Sequence, residues 1–133
     1  PSRRILDRDV ARDLTRMLQN VVSDIGTAPD AAIPGYHVAG KTGTTKKLDP
    51  DGTYSDKRYI ASFVGFAPAT NPRVVVLVMV DEPKAEDGDI YGGVVAAPAF
   101  KELAGRALAV LGVPKDWPST ASAGAALSST TTP

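Results

Sequence analysis

The residues with the most chemical promise lie in one stretch, Gly35-Tyr36-His37-Val38-Ala39-Gly40-Lys41-Thr42-Gly43-Thr44. Two chemistries compete for it. Gly35, four residues, Gly40, Lys41 and Thr42 match the phosphate-binding loop, whose backbone amides and lysine cradle a nucleotide's phosphates. That loop needs a strand before its first glycine and a helix starting at its lysine. Ala31-Ala32-Ile33-Pro34 is a poor buried strand, and Gly43-Thr44-Thr45-Lys46-Lys47 runs into a proline-containing turn rather than a helix. Tyr36 and Val38 would also hinder a tight wrap of amides around phosphate. The other reading places Lys41-Thr42-Gly43 on a β-strand. Alone, that tripeptide occurs by chance in many chains.

Rival sites are thin. His37 is the single histidine and there is no cysteine, so histidine clusters, thiol catalysis and disulfides are excluded. A Ser-His-Asp triad through His37 is conceivable, but a strand residue with a satisfied ring is the better reading. Asp49-Pro50-Asp51-Gly52 lacks the later ligands and closing glutamate of a calcium loop and reads as a turn. Asp81-Glu82 and Asp87-Asp89 read as solvated loop charges, and Lys46 and Lys47 as surface charges. Gly92-Gly93 suits loop geometry better than phosphate binding. Tyr59 and Tyr91 are candidates to border a groove. No metal or cofactor is implied.

Several elements must position the Lys41 stretch. Val10, Leu14, Met17, Leu18, Val21, Val22 and Ile25 recur at helical spacing. They predict an amphipathic helix from Asp7, as N-cap, to Ile25, stopped at Gly26 and lying on something apolar. Residues 27 to 35 read as a loop. Strands are expected at Tyr36 to Lys47, Arg58 to Ala67 and Val74 to Val80, joined by short turns into an antiparallel meander. Val74 to Val80 is seven successive apolar residues, which suits a central strand covered on both faces. A polar loop from Asp81 to Gly93 follows. A last helix is expected from about Pro98 to Leu111. Proline fits its first helical position, Gly112 its stop, and Phe100, Leu103, Ala104, Ala107, Leu108 and Leu111 its buried stripe.

The chain has 133 residues, with 15 basic and 15 acidic side chains. That balance gives no field for nucleic acid or an anionic membrane. No apolar run is long enough to span a bilayer. The chain begins at Pro1, and two helices are few to cover both faces of a buried sheet. Both facts predict a piece of a larger domain. Residues 1–118 are assigned to that domain, and the Ser/Thr/Ala-rich residues 119–133 to a disordered tail.

Lys-Thr-Gly belongs to the motif set of serine β-lactamases and penicillin-binding proteins. Its surroundings carry the likeness further. Gly35 to Lys47, Tyr59-Ile-Ala-Ser-Phe-Val-Gly-Phe-Ala-Pro-Ala69 and Pro72-Arg-Val-Val-Val-Leu-Val-Met-Val-Asp-Glu-Pro83 resemble successive strands of class B penicillin-binding proteins. Tyr91-Gly92-Gly93 and Ala97-Pro98-Ala99-Phe100 resemble the entry to that family's C-terminal helix. The resemblance covers roughly residues 3 to 113, in the family's order and spacing. It is nearest the septal, FtsI-type transpeptidases, with the elongation type as near alternative.

This resemblance implies an α/β fold of the α+β type, an antiparallel sheet flanked by helices. The chain would be the C-terminal portion of a transpeptidase domain of the penicillin-binding-protein and serine β-lactamase kind. The reaction would be D,D-transpeptidation of peptidoglycan through an acyl-serine, inhibited by β-lactams. Thr42 and Thr44 would bind the substrate carboxylate, Gly43 would let the ligand backbone lie close, and the Thr44 N–H would be an oxyanion donor. Lys41 would help proton movement at a Ser-x-Asn serine. Strand alternation alone points Lys41 away from the threonines. Neither Ser-x-x-Lys nor Ser-x-Asn occurs in the chain. The nucleophile is therefore expected upstream, and the chain alone is expected to be inactive. Partners would be peptide stems of peptidoglycan, β-lactams, division-complex membrane proteins and the upstream half of the same domain, with no nucleic acid. The location implied is the outer face of the bacterial cytoplasmic membrane, with the anchor outside this chain. A non-catalytic β-lactam-sensing or interaction module of the same fold is the alternative from a different class.

Overall fold

The computed structural model describes residues 3–84 and 88–117. The expected tail at 119–133 and the Asp87 carboxylate lie outside them. Helix α1 (Arg8–Asn20) leads through a 3-10 turn (Pro29–Ala31) into strands β1 (Ala39–Leu48), β2 (Tyr54–Ala67) and β3 (Val74–Asp81). A short helix α2 (Gly92–Val95) runs directly into helix α3 (Ala97–Val110). The 3-10 turn and α2 fall where the sequence reads as loop.

The meander forms as expected, a three-stranded antiparallel sheet in the order β1-β2-β3. Asp49 to Gly52 closes its first hairpin, with the Gly52 N–H donating to the Asp49 carbonyl at 2.9 Å and Gly52 at φ 84°. A register irregularity between Lys46 and Leu48 follows in β1. One expectation is not met within the described residues, where β2 rather than β3 is the middle strand. β3 half-buries alternate residues only, leaving Val75, Leu77 and Met79 at 71%, 58% and 60% exposure. A continuous apolar run reports an apolar environment on both faces, and the described residues cover one of them.

The covered face packs on α3. Phe63 of β2 meets Phe100 of α3 edge-on, with ring centroids 4.8 Å apart. Both rings are fully buried, each contributing about 1.5–3 kcal/mol. Small residues on the sheet make room for them. A Cβ on Gly65 would stand 2.8 Å from the Phe100 ring, and one on Gly40 would collide with Phe63. Helix α3 buries Ala97, Phe100, Ala104 and Leu108, whereas Leu103 and Leu111, expected in the same stripe, are 54% exposed.

The two long helices end differently. At the end of α3, Gly112 takes φ 61°, its N–H donates to the Ala109 carbonyl, and the Val113 N–H donates to the Leu108 carbonyl. This is a Schellman cap, with Val113 and Leu108 both buried, and it bears out Gly112 as the stop. α1 stops at Asn20, not Ile25. The Val22 and Ser23 N–H groups bond three residues back, and the Ser23 hydroxyl donates to the Asn20 carbonyl at 2.8 Å. Those tighter bonds unwind the helical repeat. Gly26 is needed there because a Cβ would collide with the Asn20 and Val21 carbonyl oxygens. Asp7 occupies the N-cap but makes no side-chain cap bond, and no residue of α1 is buried. Its apolar stripe of Val10, Leu14 and Met17 stays 43–64% exposed. Among the described residues, no helix is long and apolar enough to cross a membrane.

Candidate active site

Lys41, Thr42, Gly43 and Thr44 are consecutive residues of β1, paired with Val64, Phe63, Ser62 and Ala61 of β2. A helix at the lysine is absent, which overturns the phosphate-loop reading. Register also assigns the faces. Thr42 and Thr44 share the side of Phe63 and Ala61, toward the helices. Lys41 and Gly43 share the opposite side with Ser62, Val64, Leu77 and Met79.

Thr42 and Thr44 line one cavity of about 360 Å³ together with Thr27, Tyr91, Gly92, Gly93 and Val94. Thr42 is half-buried, while Thr44 and Tyr91 are exposed. The Thr27 and Thr42 hydroxyls are 3.4 Å apart. The local sequence marks no role for Thr27. It enters from the loop after α1, and only its fifteen-residue excursion back to β1 reveals it. Tyr91 borders the groove as the sequence suggested. Tyr59 does not line this cavity; its hydroxyl donates to the Asp56 carbonyl at 3.1 Å.

Lys41 settles the alternation problem by bending. Its Nζ donates to the Thr42 carbonyl at 2.8 Å and lies 3.4 Å from the Thr42 hydroxyl. β1 is an edge strand, and at an edge a long side chain can fold back along the backbone. The ammonium thus rooted on the bare face reaches the threonine side. It is exposed, and among the described residues it has no carboxylate partner.

Gly43 is also shaped by the neighbouring strand. A Cβ there would stand 2.6 Å from the Ser62 hydroxyl on the neighbouring strand, on the bare face. The glycine makes room for Ser62, whose Oγ sits 3.5 Å from the Gly43 carbonyl. Close approach also explains the glycine pair of α2. A Cβ on Gly92 would collide with the Ser62 carbonyl and stand 2.9 Å from the Gly43 carbonyl, and one on Gly93 would collide with the Thr27 carbonyl. Backbone of α2 therefore lies directly on the β1–β2 ladder and on the Thr27 loop, closing one wall of the cavity.

The neighbouring charges are engaged elsewhere. Lys46 pairs with Asp56 at 2.6 Å, and Lys47 with Asp81 and Glu82 at 2.8 Å each. Hydrogen bonds to those carboxylates raise both lysine pKa values, and the Lys46 bond lowers that of Asp56. Arg58 holds Asp49 at 2.6 Å. These ion pairs tie the far end of the sheet together and leave Lys41 as the cation of the site strand that no carboxylate holds. His37 precedes β1 rather than lying in it. Its Nδ1 is buried 3.2 Å from an Asp116 oxygen but lacks hydrogen-bonding geometry, so the satisfied ring expected from the sequence is not found. The other partner of that Asp116 oxygen is Thr70, not a serine.

Known proteins resemble this chain in sequence and in fold. The family model for the penicillin binding protein transpeptidase domain matches residues 1–105. The chain is 44% identical over 121 residues to a probable peptidoglycan D,D-transpeptidase, PenA, of Neisseria meningitidis, covering 91% of this chain and 20% of that protein. It is 40% identical over 116 residues to the peptidoglycan D,D-transpeptidase FtsI of Escherichia coli, covering 87% and 19%. Among solved structures, the transpeptidase domain of Burkholderia pseudomallei penicillin-binding protein 3 superposes with a TM-score of 0.75 at 46% identity, over 88% of this chain and 34% of that one. Penicillin-binding protein 3 of Mycobacterium tuberculosis, complexed with ampicillin, gives 0.74 at 37% identity, over 89% and 27%. The chain spans about a fifth of the length of the curated relatives it matches. By sequence and by fold, this chain belongs to the penicillin-binding protein transpeptidase domain family.

Proposed function

We propose that this chain is the C-terminal part of a peptidoglycan D,D-transpeptidase and supplies the wall of its active site that holds the substrate carboxylate. One observation carries the reading: the Thr42 and Thr44 hydroxyls line one cavity, with the Lys41 ammonium folded back to Thr42. A cation beside the Thr42 hydroxyl, with Thr44 lining the same cavity, suits a peptide's terminal carboxylate, or that of a β-lactam. Charge-assisted hydrogen bonds of this kind contribute about 1.5–3 kcal/mol each. The Thr44 N–H serves as one oxyanion donor, and the acyl transfer itself runs through a serine on the upstream part of the domain.

The bare face supports that division of labour. Val75, Leu77 and Met79 lie exposed on the side from which Lys41 springs. The upstream part of the domain covers these residues and brings its nucleophile and Ser-x-Asn serine to the Lys41 side. Residues 1–118 are thus one part of a larger catalytic unit, held on the outer face of the bacterial cytoplasmic membrane by an anchor upstream. Peptide stems, β-lactams and division-complex membrane proteins are its partners.

The test is covalent labelling. The full-length protein carrying this chain takes up a fluorescent penicillin, and the 133-residue chain alone does not. Co-expressing the upstream part as a separate polypeptide restores labelling, and Leu77→Glu in the bare face weakens that restoration. Labelling of the isolated chain, or none of the full-length protein, refutes the reading. Turnover of a peptide substrate, besides labelling, separates an enzyme from a β-lactam sensor of the same fold.

A further inference from the structure

β1 is the edge strand that carries the site, so it has a ladder neighbour on one side only. Its entry, Gly35 to Val38, is held by something else: the segment after the Schellman turn of α3. The Tyr36 hydroxyl donates to the Val113 carbonyl at 2.6 Å. The Asp116 and Trp117 N–H groups both donate to the Gly35 carbonyl at 3.1 Å. The Lys115 side chain fills the space where a Gly35 Cβ would stand, and Gly35 has φ 90°. The indole of Trp117 stacks on the His37 ring with centroids 4.2 Å apart.

Asp116 is the centre of this arrangement. One of its carboxylate oxygens accepts the His37 backbone N–H at 2.8 Å, and the other accepts the Thr70 hydroxyl at 2.8 Å. The Ala69 N–H in turn donates to the His37 carbonyl at 2.7 Å. A single carboxylate therefore fastens the last residues before β1 to the β2–β3 reversal. Partial burial pushes its pKa up, but the bonds from the His37 N–H and the Thr70 hydroxyl, with the His37 ring close beside it, outweigh that and hold it below the usual range. The carboxylate is ionised at neutral pH, where its hydrogen bonds are strongest.

We propose that Asp116 is a positioning residue for the Lys41–Thr44 strand, acting through the His37 backbone to fix where that strand enters the site. Lys41 lies four residues from His37, at most about 13 Å along extended chain, and β1 begins at Ala39 between them. A strand is stiff over that length, and a slip at its entry moves the clamp hydroxyls relative to any nucleophile held elsewhere. α3 and the Phe63–Phe100 core lie outside the clasp, so the fold survives its loss. The inference rests on the transpeptidase reading for its activity readout, and on backbone protection for a readout independent of it.

The experiment uses the full-length protein carrying this chain, with Asp116→Ala, Asp116→Asn and, as a control of reduced stability, Ile33→Val in the core. Acylation by a fluorescent penicillin is measured at saturating ligand, and hydrogen exchange over residues 38–45 and 97–110. Asp116→Ala slows acylation about 10- to 100-fold. It also speeds exchange at least about tenfold in 38–45 and leaves 97–110 unchanged. Asp116→Asn restores most of the rate, because its amide oxygen still accepts the His37 N–H. Ile33→Val stays within about twofold of wild type. If Asp116→Ala fails to fold, Asp116→Asn with Trp117→Ala makes the comparison: Trp117→Ala slows acylation and loosens 38–45 alone. Wild-type acylation and exchange in Asp116→Ala, or in Trp117→Ala where Asp116→Ala does not fold, overturn the proposal, as does an equal loss in Ile33→Val. If the wild-type protein never acylates, the transpeptidase reading falls, and the exchange data alone judge the clasp.

Discussion

Gly92→Ala tests how the cavity wall is built. The new Cβ would stand 2.9 Å from the Gly43 carbonyl oxygen and collide with that of Ser62. An ordinary carbon–oxygen contact is about 3.4 Å. Both obstacles are backbone atoms in the β1–β2 ladder, so no side-chain rotation relieves them, and α2 must retreat by roughly 1 Å. Overpacking of this kind costs about 1–3 kcal/mol, partly offset by the 0.5–1 kcal/mol or so that alanine contributes over glycine in a helix. The retreat moves Tyr91 and Val94 away from Thr42 and Thr44 and strains the strand that carries them. A displacement of that size at a positioned site costs on the order of 100-fold in rate. The assay is the second-order acylation rate of the full-length protein with a fluorescent penicillin, alongside thermal unfolding. Gly52→Ala is the control. Gly52 has φ 84° and open space around its Cβ direction, so its substitution costs about 1–2 kcal/mol through backbone conformation alone and leaves acylation unchanged. Acylation by Gly92→Ala within threefold or so of wild type would refute the idea that direct backbone contact between α2 and β1 sets the cavity.

Other outcomes follow from the same geometry. Thr42→Val and Thr44→Val each lower acylation by roughly 10- to 100-fold, the loss of one hydrogen bond to a carboxylate, with the melting temperature little changed. Thr27→Val, which removes the hydroxyl 3.4 Å from Thr42, has a smaller effect of the same kind, read in the same assay. Lys46→Ala leaves acylation and its salt dependence unchanged, because Asp56 already holds that charge. The Asp116 carboxylate has a lowered folded pKa, so its stabilisation is fully present above the ordinary carboxylate pKa. That stabilisation is lost as pH falls through the depressed value. Asp116→Asn removes this part of the acid limb in pH-dependent unfolding, while the rest of the curve persists.

Much of the fold was legible because its signals are local. Asp49 to Gly52 carries its own turn chemistry, and Gly112 sits where only a positive φ closes the cap of α3. β-branched residues and short connections mark the meander, and the flanking motifs mark the family in the sequence itself. Strand character also removed the phosphate-loop reading of Lys41, since a helix at the lysine had no residues to form it. The apolar stripes of α1 and β3 were read correctly as apolar but assigned cover that the described residues do not supply. Hydrophobic periodicity records the surroundings in which a sequence was selected, and a bare face here reads the same as a buried one.

Lys41-Thr42-Gly43-Thr44 as a strand of hydroxyls and one ammonium was thus determined by sequence alone. Tertiary structure decided which face each residue serves and what surrounds it. Thr42 and Thr44 look toward the cavity, while Lys41 leaves from the bare side and bends back. Gly43 proves to make room for Ser62. Thr27, Tyr91 and Asp116 join the strand from fifteen to seventy-nine residues away. No local pattern encodes such meetings, because they depend on strand pairing, helix ends and backbone contacts that exist only once the chain has closed on itself.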